Sequence, residues 1–119
     1  MNPVREYHAH VYFDADERER AVHLREEVGR RFAVTLGRVH DRPVGPHAKG
    51  MFQVLIGRDK FAAVVPWLML NRRGLDVLVH PDTGDNLADH TRHAMWLGEI
   101  LPLDVSGFEP APPSGAGAR

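Results

Sequence analysis

The chain has 119 residues, 43% hydrophobic and 26% charged, with a formal net charge of −1, the figures of one globular domain around a single core. Fifteen Lys and Arg interleaved with sixteen Asp and Glu exclude the basic footprint that a phosphate backbone selects, so no nucleic acid partner is expected. No charged leader precedes an apolar stretch and no apolar run is long enough to span a bilayer, so no membrane partner and a cytoplasmic location are expected.

The chain has no cysteine, which excludes a disulfide framework, a zinc ribbon and a thiol nucleophile. Any metal must use His, Asp, Glu or backbone oxygen. Eight histidines, no two of them adjacent, are the compositional oddity.

Glu6 to Phe13 alternates as a strand does, with Tyr7, Ala9, Val11 and Phe13 on one side and His8, His10 and Tyr12 on the other. From Asp16 to Phe32, apolar Ala21, Leu24, Val28 and Phe32 recur at helical spacing among Glu and Arg. This predicts an amphipathic helix with Asp14 or Asp16 as its cap and a solvated charged face. Thr35 to Asp41 reads as a second strand and Met51 to Gly57 as a third, joined by a loop broken by Pro43, Gly45, Pro46 and Gly50. Asp59 is placed to cap a second helix running to about Arg73, with Gly74 as its stop and Pro66 kinking it or delaying its start. Leu75 to His80 is a fourth strand that Pro81 should end. A third helix, capped near Asp85, should bury Leu87, Thr91 and Ala94 and stop at Gly98. Residues 1–106 thus form the expected single domain. The Pro, Gly, Ala and Ser-rich stretch 107–119 is expected to be a disordered tail.

The order β, α, β, β, α, β with an appended helix predicts an α+β, ferredoxin-like sandwich. Two helices cover one face of a four-stranded antiparallel sheet, and the first strand lies between the third and fourth. The covered face then takes Val11, Phe13, Phe52, Val54, Ile56, Val77 and Val79. The open face takes His8, His10, Tyr12, Met51, Gln53, Leu55, Leu78 and His80.

His-x-His on a strand sets two imidazoles about 6.5–7 Å apart along the chain, which suits two ligands, or one ligand and an acid/base neighbour. Hydrogen-bonded packing or a dimer surface is the plainer use of such a face. His47, after a rigid Gly-Pro step, is either a solvent-facing turn residue or an imidazole aimed at a site. His90 follows Leu87 by nearly one turn and is placed to pack, to cap or to reach that site, while His23, His40 and His93 read as surface or edge residues.

Tyr7-His-Ala-His-Val-Tyr-Phe13, Arg42-Pro-Val-Gly-Pro-His47, His80-Pro-Asp-Thr-Gly-Asp85, and Asp89-His90 followed by Ala94-Met-Trp-Leu-Gly98, occur in this order. Together they resemble the DOPA 4,5-dioxygenase-like family over about residues 5–104. The resemblance implies a ferredoxin-like fold, a homodimer, and extradiol opening of a catechol such as L-DOPA by dioxygen. It further implies His10, His47 and His80 as metal ligands, with His8 and His90 as supporting or acid/base residues and Tyr12 and Gln53 orienting an aromatic diol.

The implied metal is iron(II), with zinc or nickel as alternatives. Gln53 stands where some members offer a carboxylate, and Ala48 and Lys49 replace a proline and an apolar residue after His47. Three alternatives stay open: histidines alone hold the metal, an acid such as Asp76 or Asp82 joins them, or the metal is not iron. A metalloprotein with a different reaction and a non-catalytic dimer that binds a small ligand are the competing functions. His80 should sit near His8 while the His47 loop leaves the opposite end of the sheet. That loop must then fold back or come from a second subunit, and the eight residues 42–49 can extend to about 26 Å.

Overall fold

A computed structural model describes residues 4–109. Its sheet has five strands in the order β2-β3-β1-β4-β5, every neighbouring pair antiparallel. The strands are β1 (Glu6–Phe13), β2 (Thr35–Leu36), β3 (Gly50–Ile56), β4 (Val77–Asp82) and β5 (Met95–Leu97). The helices are α1 (Arg18–Arg31), α2 (Phe61–Asn71) and α3 (Asn86–His90). β1 lies between β3 and β4 as the alternation requires, and a fifth strand takes the edge beyond β4, where a four-stranded sheet was expected.

The main core fills the space between sheet and helices. Ala9, Val11 and Phe13 from β1, Phe52, Val54 and Ile56 from β3, and Val77 and Val79 from β4 meet Ala21, Leu24 and Val28 of α1 and Val64, Val65 and Leu68 of α2. Each large apolar side chain buried here contributes about 1.5–3 kcal/mol relative to exposure.

Several boundaries differ from the expectation. The second strand keeps two paired residues, Thr35 and Leu36, plus a bridge from His40 to Met51. Gly57, not Asp59, stands before the 3-10 turn Arg58–Lys60 that opens α2. Pro66 lies inside α2 without ending it. It is exposed, and so is Ala62, whose carbonyl loses its helical partner there, so water can supply the bond.

Pro81 does not end β4, because it faces Tyr7 and the strand runs on to Asp82. The backbone N–H of Tyr12 donates to the Asp76 carbonyl, and antiparallel alternation from that bond makes Tyr7–Pro81 a pair that needs no amide proton. The pairing of β4 with β5 ends at Val79, so that side asks Pro81 for no donor either.

The third helix is one short turn. Its cap is Asp85, whose carboxylate accepts from the Ala88 amide at 3.1 Å. Ala88 and Asp89 are its buried residues, while Thr91 is exposed. Met95 to Leu97 is strand and not helix, because it completes the β4 edge. Gly98 then turns the chain with φ +89°, and a Cβ there would lie 2.4 Å from an Asp76 carboxylate oxygen that accepts the Glu99 amide.

The second sheet face is not left open. Tyr12, Met51 and Leu78 are buried beneath Ala94, Trp96, Leu101 and Leu103 of the same chain. The apolar surface at Met51 and Leu78 is therefore covered within the chain. Glu109 is the last residue described; the remainder of the expected tail, 110–119, lies outside the described residues. Among the described residues no helix is long and apolar enough to cross a membrane.

Gly50 opens β3 at the point where the loop returns, and a Cβ there would stand 2.9 Å from the His40 carbonyl and 2.9 Å from the Phe13 ring. Backbone and a core aromatic cannot both yield, so Gly50→Ala should destabilise the protein by about 1–3 kcal/mol. Equilibrium urea unfolding checks this, and an unchanged midpoint would show that the loop relaxes freely.

Candidate metal centre

Strand alternation puts His8, His10 and Tyr12 of β1 on the second face. There His8 lies opposite both Leu55 and His80, and His10 lies opposite Gln53 and Leu78. From the neighbouring strand His80 leans diagonally across to His10, so that their Nε2 atoms stand 3.0 Å apart. The two rings are nearly parallel, 12° apart, with centroids at 5.1 Å.

The loop between His40 and Gly50 folds back over this face within one chain, with no need of a second subunit. His40 and Met51 exchange backbone bonds at its base. Arg18 pairs with Asp41 at one end and Lys49 with Asp14 at the other. Both ion pairs are largely exposed and contribute little energy alone. His47 arrives 4.3 Å from His10, ring to ring, and its Nδ1 is hydrogen-bonded to Tyr12 Oη at 2.7 Å. His90 comes from α3, its centroid 4.1 Å from that of His80.

His10, His47 and His80 are only 4%, 7% and 3% exposed. Burial, reinforced by the neighbouring imidazoles, holds all three in the neutral form. His10 is pushed well below its usual value, first by burial and then by His47, His80, His8 and His90. His47 is lowered to about 4, chiefly by burial and then by His90 and His40. Burial also lowers His80 to about 4, against the opposing effect of its bond to Pro81. Neutral imidazoles are the metal-ligating form.

The donor set fits a metal. His80 Nδ1–H donates to the Pro81 carbonyl at 2.8 Å, leaving the Nε2 lone pair aimed at His10. His10 Nδ1 is buried and has no hydrogen-bond partner. If His10 also turns a lone pair to His80, the two repel unless a cation lies near both. Ligand nitrogens about 2.1 Å from one ion in adjacent right-angled positions are about 3 Å apart, the spacing found here. Imidazoles suit iron, zinc, nickel and copper.

Donor atoms of His8, His10 and His80 lie within 4.8 Å of one another, while His47 sits beside His10 and Tyr12. Both His8 nitrogens are nevertheless engaged, one with the Gln53 amide at 3.0 Å and the other with Glu6 Oε2 at 2.8 Å. Tyr12 and Gln53, expected to face substrate, each spend a bond on a histidine. Asp76 is committed to the Gly98 turn, whereas Asp82 joins Glu6 and His8 in a second convergent group. His23 and His93 are exposed, and His40 bridges to Met51.

Sequence reasoning missed Glu6 and Asp89. Glu6 shares the face and parity of His8 and was readable from that alternation. Asp89 is 1% exposed, and its carboxylate accepts from the Thr83 amide at 2.8 Å and the Thr83 hydroxyl at 2.6 Å. It thereby ties the loop after His80 to the turn that carries His90. Nothing in the local sequence marks Asp89 as buried.

Four similarities to known proteins bear on this centre. The Dopa 4,5-dioxygenase family profile matches residues 7–107. A DOPA 4,5-dioxygenase of Amanita muscaria is 37% identical over 114 residues, covering 88% of this chain and 50% of that protein. An uncharacterized 21.2 kDa protein of Botryotinia fuckeliana is 38% identical over 112 residues, covering 84% of this chain and 61% of that one. The chain therefore spans half to three-fifths of these relatives. The crystal structure of a candidate dioxygenase from Nostoc punctiforme superposes with a TM-score of 0.85 at 54% identity, over 87% of this chain and 90% of that one.

The depressed histidines make a prediction for the metal-free protein. The unfolded chain takes up protons near the ordinary value of 6.5, whereas folded His47 and His80 do so only near 4. Between these limits the unfolded state binds more protons, so stability present above pH 6.5 is lost as pH falls towards 4. The melting temperature of the apo-protein should drop over that window, and less steeply in His80→Gln. Identical slopes for the two proteins would refute the assignment.

Proposed function

The chain belongs to the Dopa 4,5-dioxygenase family, and from that premise we propose that it is a metal-dependent extradiol dioxygenase opening the ring of a catechol such as L-DOPA at the 4,5 position. The observation that carries this reading is the buried His10–His80 pair, with Nε2 atoms 3.0 Å apart. His10 and His80 hold the ion, iron(II) in the first instance, with zinc or nickel as alternatives.

His47 is the third ligand in this reading, because with Nδ1–H donated to Tyr12 Oη its Nε2 lone pair is free, while both His8 nitrogens are engaged. Burial raises the Tyr12 phenol and keeps it protonated, so it serves His47 as a neutral anchor. Iron(II) held by His10, His47 and His80 would supply Lewis acidity toward an aromatic diol and the capacity to activate dioxygen.

The remaining chemistry belongs to the side chains. His90 donates Nδ1–H to the Asn86 carbonyl at 2.8 Å, which leaves Nε2 as a base able to take a catechol proton. His8, held between Gln53 and Glu6, is the second acid/base group. Gln53 and Glu6 between them fix its ring orientation.

His10→Ala and His80→Ala should each abolish metal retention while the far-ultraviolet circular dichroism is preserved, and His47→Ala should weaken retention at least tenfold on the order expected for a lost ligand. His8→Ala should keep the metal and lose about 100-fold in kcat. Stoichiometric metal in His47→Ala would show that His8, not His47, completes the site. Anaerobic loading with iron(II), followed by dioxygen and a panel of catechols, should give a yellow ring-cleavage product. No such chromophore across the panel would sink the dioxygenase reading.

A further inference from the structure

The histidine centre is closed on its outer side by the chain that follows β5. Leu101 and Leu103 pack against Tyr12, Met51 and Leu78. The Asp104 amide donates to the Pro46 carbonyl at 2.8 Å, next to His47. Asp104 then accepts from the Ser106 amide at 3.1 Å and the Ser106 hydroxyl at 2.6 Å, and the Phe108 amide donates to the Val105 carbonyl at 3.0 Å. These bonds turn the chain so that the Phe108 ring lies on His90, with centroids 4.8 Å apart and planes 37° apart.

Phe108 and His90 are half-buried, in contrast to the sealed His10, His47 and His80. The Phe108–His90 contact is therefore a solvent-accessible margin of a closed site, one ring away from His80. Phe108 also lies one residue beyond the segment that matches the family, 7–107.

We infer that Phe108 is a specificity-determining residue: it is the aromatic wall of the histidine site and selects flat rings over aliphatic diols. A diol that reaches His80 from this margin passes between His90 and Phe108, and its ring replaces the imidazole as the partner of the Phe108 face. An aromatic ring keeps the offset or tilted stacking that a saturated one cannot reproduce. This inference rests on the catechol reading for its ligand class, and on the placement of Phe108 for its residue.

The test uses the full chain loaded with iron(II) under anaerobic conditions, with 4-nitrocatechol as a visible probe and cis-1,2-cyclohexanediol as a saturated competitor. Phe108→Ala and Phe108→Leu should each weaken 4-nitrocatechol binding by about three- to tenfold, and Phe108→Tyr should stay within about twofold. Bound iron and competition by the saturated diol should be the same in all four proteins. With turnover, KM should rise more than kcat falls. Leu matching Phe, or Ala retaining full affinity, would overturn the inference, as would loss of iron from the Leu variant, which would assign Phe108 to holding the site together. Aromatic-dependent binding without any ring-cleavage product would uphold this inference and sink the dioxygenase reading alone. An iron-loaded wild-type protein that does not bind 4-nitrocatechol would overturn both.

Discussion

Two imidazole nitrogens 3.0 Å apart, on side chains almost sealed from water, set the condition that the surrounding structure meets. His80 has its proton tied to the Pro81 carbonyl, and His10 has a nitrogen without a partner. With His10 donating Nε2–H to His80 Nε2 the pair is satisfied, and His10 Nδ1 is the atom left unpartnered, at a cost on the order of 1–3 kcal/mol. The adjacent imidazoles and the burial both disfavour relief by a proton. A cation shared by the two Nε2 atoms would take the place of that hydrogen bond and move the His10 proton to Nδ1.

The fold supplies that pair cheaply because β1 and β4 are neighbours with His8 facing His80. The main core, on the other side of the sheet, fixes the register independently of the histidines. A one-residue slip of β1 would turn His8 and His10 into that core, so packing on one face enforces chemistry on the other. Around the pair, less regular elements deliver the rest: the loop 41–49 brings His47, the Thr83–Asp89 clasp steadies the turn bearing His90, and the segment after β5 closes the top.

Local rules failed where a tertiary partner was available to replace what they assumed. Met95 to Leu97 has a helical look beside Ala94, but β4 offers an unpaired edge and the strand forms there. Pro81 breaks no bond because its position in the ladder needs no donor. Asp89 reads as an ordinary surface acid, and its burial follows only from the folding of Thr83 onto it. Leu101 and Leu103, which no periodicity singled out, find a face to cover.

The sequence by itself determined which side of β1 carries His8, His10 and Tyr12, because period-two alternation is a local geometric property of a strand. It also determined, through the order of its motifs, the family and the central placement of β1. Only the tertiary structure decided which nitrogens meet, that His47 reaches the face within its own chain, and that Glu6 and Gln53 divide His8 between them. Those outcomes depend on contacts between residues as far apart as 10 and 80, whose distance and orientation are set by packing and loop path, quantities that no spacing along the chain encodes.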